Sequence, residues 1–399
     1  MKRASWLESV AGTLGGDPAI PAGARDELRN LDDALFEAWN LGENIILSWT
    51  QDATARRFLF IRHYNVLEPF GPASDVVLAT TGTDFVNGLL SREKFATPRE
   101  FDSLCERFGA AAHVVSVPLP TGSAVPVELV SGLLRRYSVT LVRERAVLLL
   151  DAVGFALHSP LEQVAMLNSL SYSVNSAYRQ LVSEDVQINF ARSSTGDGFY
   201  IWNRARTVDA NVALYKLLLL ILADNAVART KARRFPVPQL RAAFHVGEHY
   251  EFYQVEALNP TTFSYIVGHV TIELARILEK ARPGQILLGD FAIASGDPRS
   301  GELQSYGTLD FISRTEALLQ QLEGLEVAND HIARIRCYLT GRSTPQGAFE
   351  ATRYTVTDKH GFTRPVYNAK INIHLAAGEP IFLGLQHRDL HAGEPAVTA

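Results

Sequence analysis

Short apolar runs alternating with helical-period stretches predict an α/β (α+β) fold for this chain of 399 residues. Two further observations agree. Hydrophobic residues make up 47% and charged residues 20%, the composition of globular domains with packed cores. The length exceeds one ordinary domain, so two are expected.

Residues 1–24 hold Gly15-Gly16, Asp17-Pro18 and Pro21, and form a loose leader. From Asp26 to Trp49, Leu28, Leu31, Leu35, Ala38 and Leu41 recur at helical spacing. Arg57 to Tyr64 and Asp75 to Ala79 read as strands, and Pro98 to Phe108 as a helix capped by Thr97. Ala112 to Pro118 is a strand, Thr121-Gly122-Ser123 a turn, and Pro126 to Arg136 a helix. This part, 25–138, is an N-terminal α/β domain without a motif, read as a sensor or regulatory domain.

A second domain is expected over 139–376. Val142 to Leu150 ends in a buried strand and delivers Asp151 at its tip. Ser159 to Leu181 is helical. Val186 to Ala191 and Gly198 to Trp202 are strands around the turn Ser194-Thr195-Gly196-Asp197, where Gly196 and Gly198 accommodate positive φ. Asp209 to Arg229 is a long apolar helix, Arg241 to Val246 a strand, and Val270 to Lys280 an amphipathic helix. Pro283-Gly284 turns into the strand Gln285 to Leu288, and Asp290 to Ser305 reads as loop. A helix over Ser313 to Leu322 and strands over Ile332 to Leu339, Phe349 to Val356 and Val366 to Ile373 follow, then a polar tail, 377–399.

Bulk properties exclude some functions. The net charge is −5 and basic residues form no long stripe, which argues against a nucleic-acid partner. Cys105 and Cys337 stand far apart without CxxC spacing, so neither a disulfide framework nor a zinc site is expected, and a reducing cytoplasm fits. Met1 to Gly16 lacks a signal-length apolar run. The most apolar stretch, Leu214 to Ala223, is too short to span a bilayer and reads as a buried helix.

The candidate chemistry lies with two aspartates. Asp151 ends an apolar strand, and Asp197 follows 46 residues later (197 − 151) in a glycine-flanked turn. Carboxylates at the ends of adjacent strands suit a pair of Mg²⁺ or Mn²⁺ ions, which activate a hydroxyl and neutralise a triphosphate. Nearby glycines let phosphate oxygens approach backbone N–H groups. By itself each aspartate is more simply a turn former.

The order of segments goes further. Leu148 to Phe155 (LLLDAVGF) is similar to the first metal-binding signature of class III adenylate and guanylate cyclases, and Ser194 to Trp202 (STGDGFYIW) resembles their second-metal hairpin. Leu240 to Glu248 (LRAAFHVGE) resembles the strand after the central helix, and Tyr265 to Leu288 the catalytic helix and following strand. Asp358 to Tyr367 (DKHGFTRPVY) is similar to the closing lysine-glycine turn. The resemblance implies a βαββαβ catalytic domain that converts a nucleoside triphosphate into a 3′,5′-cyclic nucleotide and pyrophosphate. It also implies a homodimer whose sites are shared between chains. By position, Asp151 and Asp197 ligate two Mg²⁺ or Mn²⁺ ions, while the backbone of Ala152, Val153, Gly154 and Phe155 cradles the phosphates. Arg276 stabilises charge on the α-phosphate, and Lys359 contacts the terminal phosphates. Arg241 matches a common basic position, with a surface arginine as the equal alternative; His245 matches a frequent family residue and reads as structural. His249 follows at i+4 on a strand, about 13 Å away, too far to share an ion with it.

The purine-selecting positions depart from the pattern. The base-recognising lysine falls on Ser193, its acidic or threonine partner on Tyr265, and the polar transition-state residue on Ile272. His269, one turn before Ile272, is the candidate replacement donor. Two alternatives stay open. One is an active site reshaped for another base, ATP or a pyrimidine triphosphate, in the manner of bacterial anti-phage pyrimidine cyclases. The other is a cyclase fold without turnover, kept as a nucleotide sensor or interaction module.

Overall fold

A computed structural model describes residues 22–52, 54–72, 74–116, 125–186, 188–255, 262–296, 303–327, 329–343 and 349–390. The chain forms two compact units: 1–143 with 249–267, and 144–248 with 268–399. The turn expected at Thr121-Gly122-Ser123, most of the leader and the end of the tail lie outside the described residues.

In the first unit, helix α1 (Ala22–Trp39) precedes strands β1 (Asn44–Gln51) and β2 (Ala55–Arg62); α2 (Val76–Ser91) and α3 (Pro98–Phe108) come next, then β3 (His113–Ser116) and α4 (Val127–Leu134). The strands make an antiparallel sheet, β1-β2-β3. Leu28, Leu31 and Leu35 of α1 pack with Val130 and Leu133 of α4 on Ile46, Trp49 and Phe58. Leu47 and Leu59 pack instead with Val86 and Leu89 of α2 and Phe101 and Leu104 of α3. Alternate strand residues thus feed two helical layers.

Two sequence expectations are corrected here. The helix expected to reach Trp49 stops at Trp39, because Ile46 to Thr50 are buried and Ile45-Ile46 favours a sheet flanked on both faces. Asp75 to Ala79 is not a strand. The Asp75 side chain accepts from the N–H groups of Val77 and Leu78, capping α2, whose buried Gly82, Val86, Leu89 and Leu90 follow helical spacing. Thr97 does cap α3, with Glu100 closing a capping box.

β4 (Thr140–Ala152) carries the chain into the second unit, and at the division Glu144 takes φ 54°, a local irregularity in the strand. There follow α5 (Pro160–Ser183), the hairpin β5 (Phe190–Ser194) and β6 (Gly198–Asn203), α6 (Val208–Lys231) and β7 (Leu240–Val255). This is the βαββαβ order. β8 (Thr262–Val267) pairs with the far half of β7 inside the first unit. Then come α7 (His269–Glu279), β9 (Ile286–Gly289), the hairpin β10 (Ala292–Gly296) and β11 (Leu303–Gly307), and α8 (Thr308–Leu318). β12 (Glu326–Val327), β13 (Asp330–Leu339), β14 (Gly341–Ser343), β15 (Phe349–Ala351), β16 (Arg353–Thr357), β17 (Thr363–Leu375), β18 (Ile381–Leu383) and α9 (His387–Leu390) complete it. The sheet order is β12-β13-β17-β9-β7-β4-β6-β5, with β7 and β9 parallel. The fold is thus mixed α/β, as expected.

α6 is buried nearly all round, packed with Leu170, Val174 and Ala177 of α5 against Leu148, Leu150 and Phe244. Among the described residues it is the one helix long and apolar enough to cross a membrane, and 83% of that stretch is buried inside the protein. It spans Val208–Lys231, close to the Asp209 to Arg229 read from sequence, and Tyr215 and Lys216, which interrupt the apolar run, are themselves buried.

Further corrections concern ends and loops. Val186 and Ile188 precede β5 rather than belonging to it, and β7 continues nine residues past Val246 (255 − 246). The stretch read as loop over Asp290 to Ser305 contains the β10–β11 hairpin, paired from Ala292↔Gly307 to Gly296↔Leu303. Phe349 to Val356 is two strands, β15 and β16, each on a different partner. The tail is not featureless. Ile381 and Leu383 pack on the core while β18 pairs with β17, an alternation hidden behind Gly378 and Pro380.

Candidate functional site

Asp151 ends β4 directly opposite Gly198 of β6. The Ala152 N–H donates to the Asp197 carbonyl at 3.1 Å, folding the turn back on the strand end. Gly196 takes φ 101°, as expected of the turn. Gly198 does not have positive φ. It is glycine because a Cβ there would lie 1.8 Å from the Leu150 carbonyl oxygen.

This brings the two carboxylates together. Burial raises the Asp151 carboxyl above its ordinary range, its hydrogen bond and charge pairing with Arg241 oppose the rise, and Asp197 adds to it. Arg241, near the start of β7, donates from Nε to Asp151 Oδ2 at 2.6 Å and from a terminal nitrogen to the Ala281 carbonyl at 3.3 Å. The alternative of a surface arginine is thereby replaced by an ion pair at the site, with Asp151 only 13% exposed.

Among the described residues no group of three or more His, Cys, Asp or Glu gathers around a point. Two carboxylates are still a sufficient protein contribution for Mg²⁺ or Mn²⁺, which bind hard oxygen and take the rest of their shell from water and phosphate. The all-oxygen pair, whose mutual repulsion a cation relieves, fits such ions. Arg241 is the cation that balances Asp151 in this structure.

The proposed phosphate cradle is partly engaged. Ala152 N–H donates to Asp197 O, and Val153 N–H to Gln239 O at 2.9 Å. Gly154 turns at φ 69°, and the hydrogen bonds described for Gly154 and Phe155 use their carbonyls. The N–H groups of Ala152 and Val153 are thus used within the chain.

Arg276 lies on α7, its Nε 3.7 Å from Asp358 and a terminal nitrogen 3.9 Å from Glu279. Lys359 sits exposed in the turn Asp358 to Phe362, closed by N–H···O bonds of 3.0 and 3.1 Å. Ser193 lies on β5 opposite Tyr200. Tyr265 belongs to the other unit, stacked on Phe252 with centroids 5.8 Å apart. Ile272 is 54% exposed and His269 begins α7 on the surface.

Three residues escaped the sequence reading. Tyr200 donates its hydroxyl to the Thr271 carbonyl at 3.0 Å, tying the aspartate hairpin to the helix of Arg276. Asp358 and Arg364 pair at 2.9 Å, and Arg364 also meets Glu273 of α7 at 2.8 Å. Only Tyr200 carried a signal, as an aromatic two residues past the hairpin glycine. Two clefts, of about 590 and 660 Å³, are lined by none of the site residues.

His245 stands on β7 with its Nδ1 enclosed and without a hydrogen-bond partner among the described residues, though part of the residue remains exposed. Burial lowers its pKa to about 4, Glu273 opposing and His269 adding to the effect. The unfolded chain therefore takes up the proton first as pH falls, so stability is full above pH 6.5 and declines toward pH 4, by at most about 3 kcal/mol. His245→Gln is expected to flatten this part of the stability profile in urea titrations at stepped pH. An unchanged slope would contradict a neutral His245.

No family model matches the chain, and no curated protein matches it. Solved structures do. The adenylyl cyclase CyaB from P. aeruginosa is 14% identical with a TM-score of 0.33, the match covering 61% of this chain and 97% of that one. The guanylate cyclase domain of RhGC from Catenaria anguillulae, in complex with GTP, is 12% identical with a TM-score of 0.31, covering 42% and 97%. The guanylyl cyclase Cya2 is 14% identical with a TM-score of 0.29, covering 58% and 92%.

Proposed function

We propose that the protein is a nucleotidyl cyclase, forming a 3′,5′-cyclic nucleotide and pyrophosphate from a nucleoside triphosphate. The observation that carries this reading is the juxtaposition of Asp151 and Asp197 at the β4–β6 ends, with Arg241 against Asp151. The segments similar to the class III signatures and the βαββαβ order support it.

In this reading Asp151 and Asp197 hold two Mg²⁺ or Mn²⁺ ions, which supply charge neutralisation and a more acidic 3′-hydroxyl. The N–H groups of Gly154 and Phe155 face the phosphates, and Lys359 contacts the terminal ones. Arg276 donates to the α-phosphate oxygens as charge builds there, a planar fork suited to that geometry. The 3′-oxygen forms its bond to the α-phosphorus as pyrophosphate leaves, and the hydroxyl proton passes to solvent. By the resemblance of their segments, Ser193 and Tyr265 occupy the positions with which class III cyclases read the base, and the base proposed is ATP's adenine or a pyrimidine. The first unit is the regulatory input, and the role belongs to cytoplasmic signalling or defence against phage.

Two chains share each site: one provides the aspartates and its partner Arg276. Mixing Asp151→Ala with Arg276→Ala chains is therefore expected to recover about a quarter of wild-type activity, since half the dimers carry one intact site of two. No recovery in stably mixed dimers would contradict shared sites.

The deciding experiment offers ATP, GTP, CTP and UTP separately with Mn²⁺ and identifies cyclic products by mass spectrometry. Ile272, exposed and without a polar donor, favours the second reading if all four give nothing: a cyclase fold retained for nucleotide sensing.

A further inference from the structure

We infer that Asp358 is a positioning residue, one buried carboxylate that orders both the turn carrying Lys359 and the guanidinium of Arg276. The inference rests on the reading of those two cations as phosphate partners.

Asp358 ends up with its side chain only 2% exposed, between two arginines. Its Oδ1 accepts from the backbone N–H groups of His360 at 2.8 Å and Phe362 at 3.1 Å, which shapes the turn around Lys359. Its Oδ2 accepts from Arg364 at 2.9 Å and faces Arg276 Nε at 3.7 Å. Burial alone would raise this carboxyl, but the two backbone donors and Arg364 outweigh burial and keep it ionised below its ordinary range.

Glu273 and Arg276 lie three apart on α7 and share a face. Charges alternate along it: Glu273, Arg364, Asp358, Arg276, Glu279. The Asp358–Arg276 contact, at 3.7 Å, is an ion pair and not a hydrogen bond. It restrains the guanidinium by charge while leaving its N–H groups to donate elsewhere. An unrestrained arginine on such a partly buried helix face still samples several rotamers, and ordering it at the moment of reaction costs entropy. Arg364 itself pairs with both Glu273 and Asp358, so it staples the turn to the helix.

The test uses the full chain and two readouts. With ¹⁵N-labelled arginine, the Arg276 Nε–Hε resonance, assigned by its loss in Arg276→Lys, is expected to move in Asp358→Asn and to return in Asp358→Glu. In turnover with the nucleotide that wild type cyclises, Asp358→Asn is expected to lose about 10- to 100-fold in kcat. In an Arg276→Ala background the same change is expected to cost much less, since its target is gone. A wild-type Arg276 resonance in Asp358→Asn, or equal losses in both backgrounds, would overturn the inference. Should Asp358→Asn fail to fold, Arg364→Gln, which loosens the same carboxylate, takes its place under the same criteria. If wild type makes no cyclic product, the cyclisation reading fails while the resonance still decides whether Asp358 holds Arg276.

Discussion

Asp151→Ala is expected to reduce cyclic-nucleotide formation by about 10³-fold or more, with the protein still folded. Asp151 supplies one of two carboxylates at the site and sets the place of Arg241, bonded to it at 2.6 Å. Removing it takes away a metal ligand and turns loose a guanidinium that would then add positive charge where cations must bind. Folding is not the casualty, because the carboxyl is destabilised by its own burial and Asp197 adds to that repulsion. Thermal melting of the variant is therefore expected to match or exceed wild type, while mass spectrometry of the product separates the two. Equal product from Asp151→Ala and wild type would remove Asp151, and the metal site built on it, from the reaction. Loss of product together with loss of folding would instead assign Asp151 a structural role.

Gly198→Ala is the second large effect, and it acts through the backbone. A Cβ at this position would sit 1.8 Å from the Leu150 carbonyl oxygen and 3.1 Å from Asp151 Cα, both main-chain atoms that no rotamer change can move. The β4–β6 pair must part at its last rung, where Asp151 faces residue 198. The expected cost is about 3 kcal/mol or more of folding stability, at the upper end of what inserted atoms cost a packed site. Activity is expected to fall with it, since the separation of the aspartates is set by this rung. Urea unfolding monitored by far-ultraviolet circular dichroism gives the stability. Gly196→Ala serves as the contrast. Its Cβ meets nothing within 4 Å and its strain comes only from φ 101°, so it is expected to cost less. Equal stability of Gly198→Ala and wild type would mean that the strands do not approach this closely.

The local signals along the chain already determined much of this. The apolar run ending at Asp151, the glycine-flanked turn at Asp197 and the helix cap at Thr97 are short-range patterns, and each element they announce is present. The α/β class followed from them, since strand and helix periods are written in consecutive residues. Boundaries were less legible where local and tertiary preferences conflict. Val76-Val77 favours a strand, yet Asp75 capping and the buried stripe of Gly82, Val86 and Leu89 make it helical.

Tertiary structure alone decided which charges meet. Arg241 lies 90 residues from Asp151 in sequence, and nothing nearby distinguishes it from a solvated arginine. Asp358, Arg364 and Glu273 come from a turn, a strand and a helix, and their alternation exists only after folding. Tyr265 belongs to the first unit and Ser193 to the second, because β7 runs on and β8 pairs with its far half. The physical reason is common to these cases. Hydrophobic periodicity is summed over neighbours in the chain, whereas an ion pair depends on two side chains that the fold brings together from remote positions.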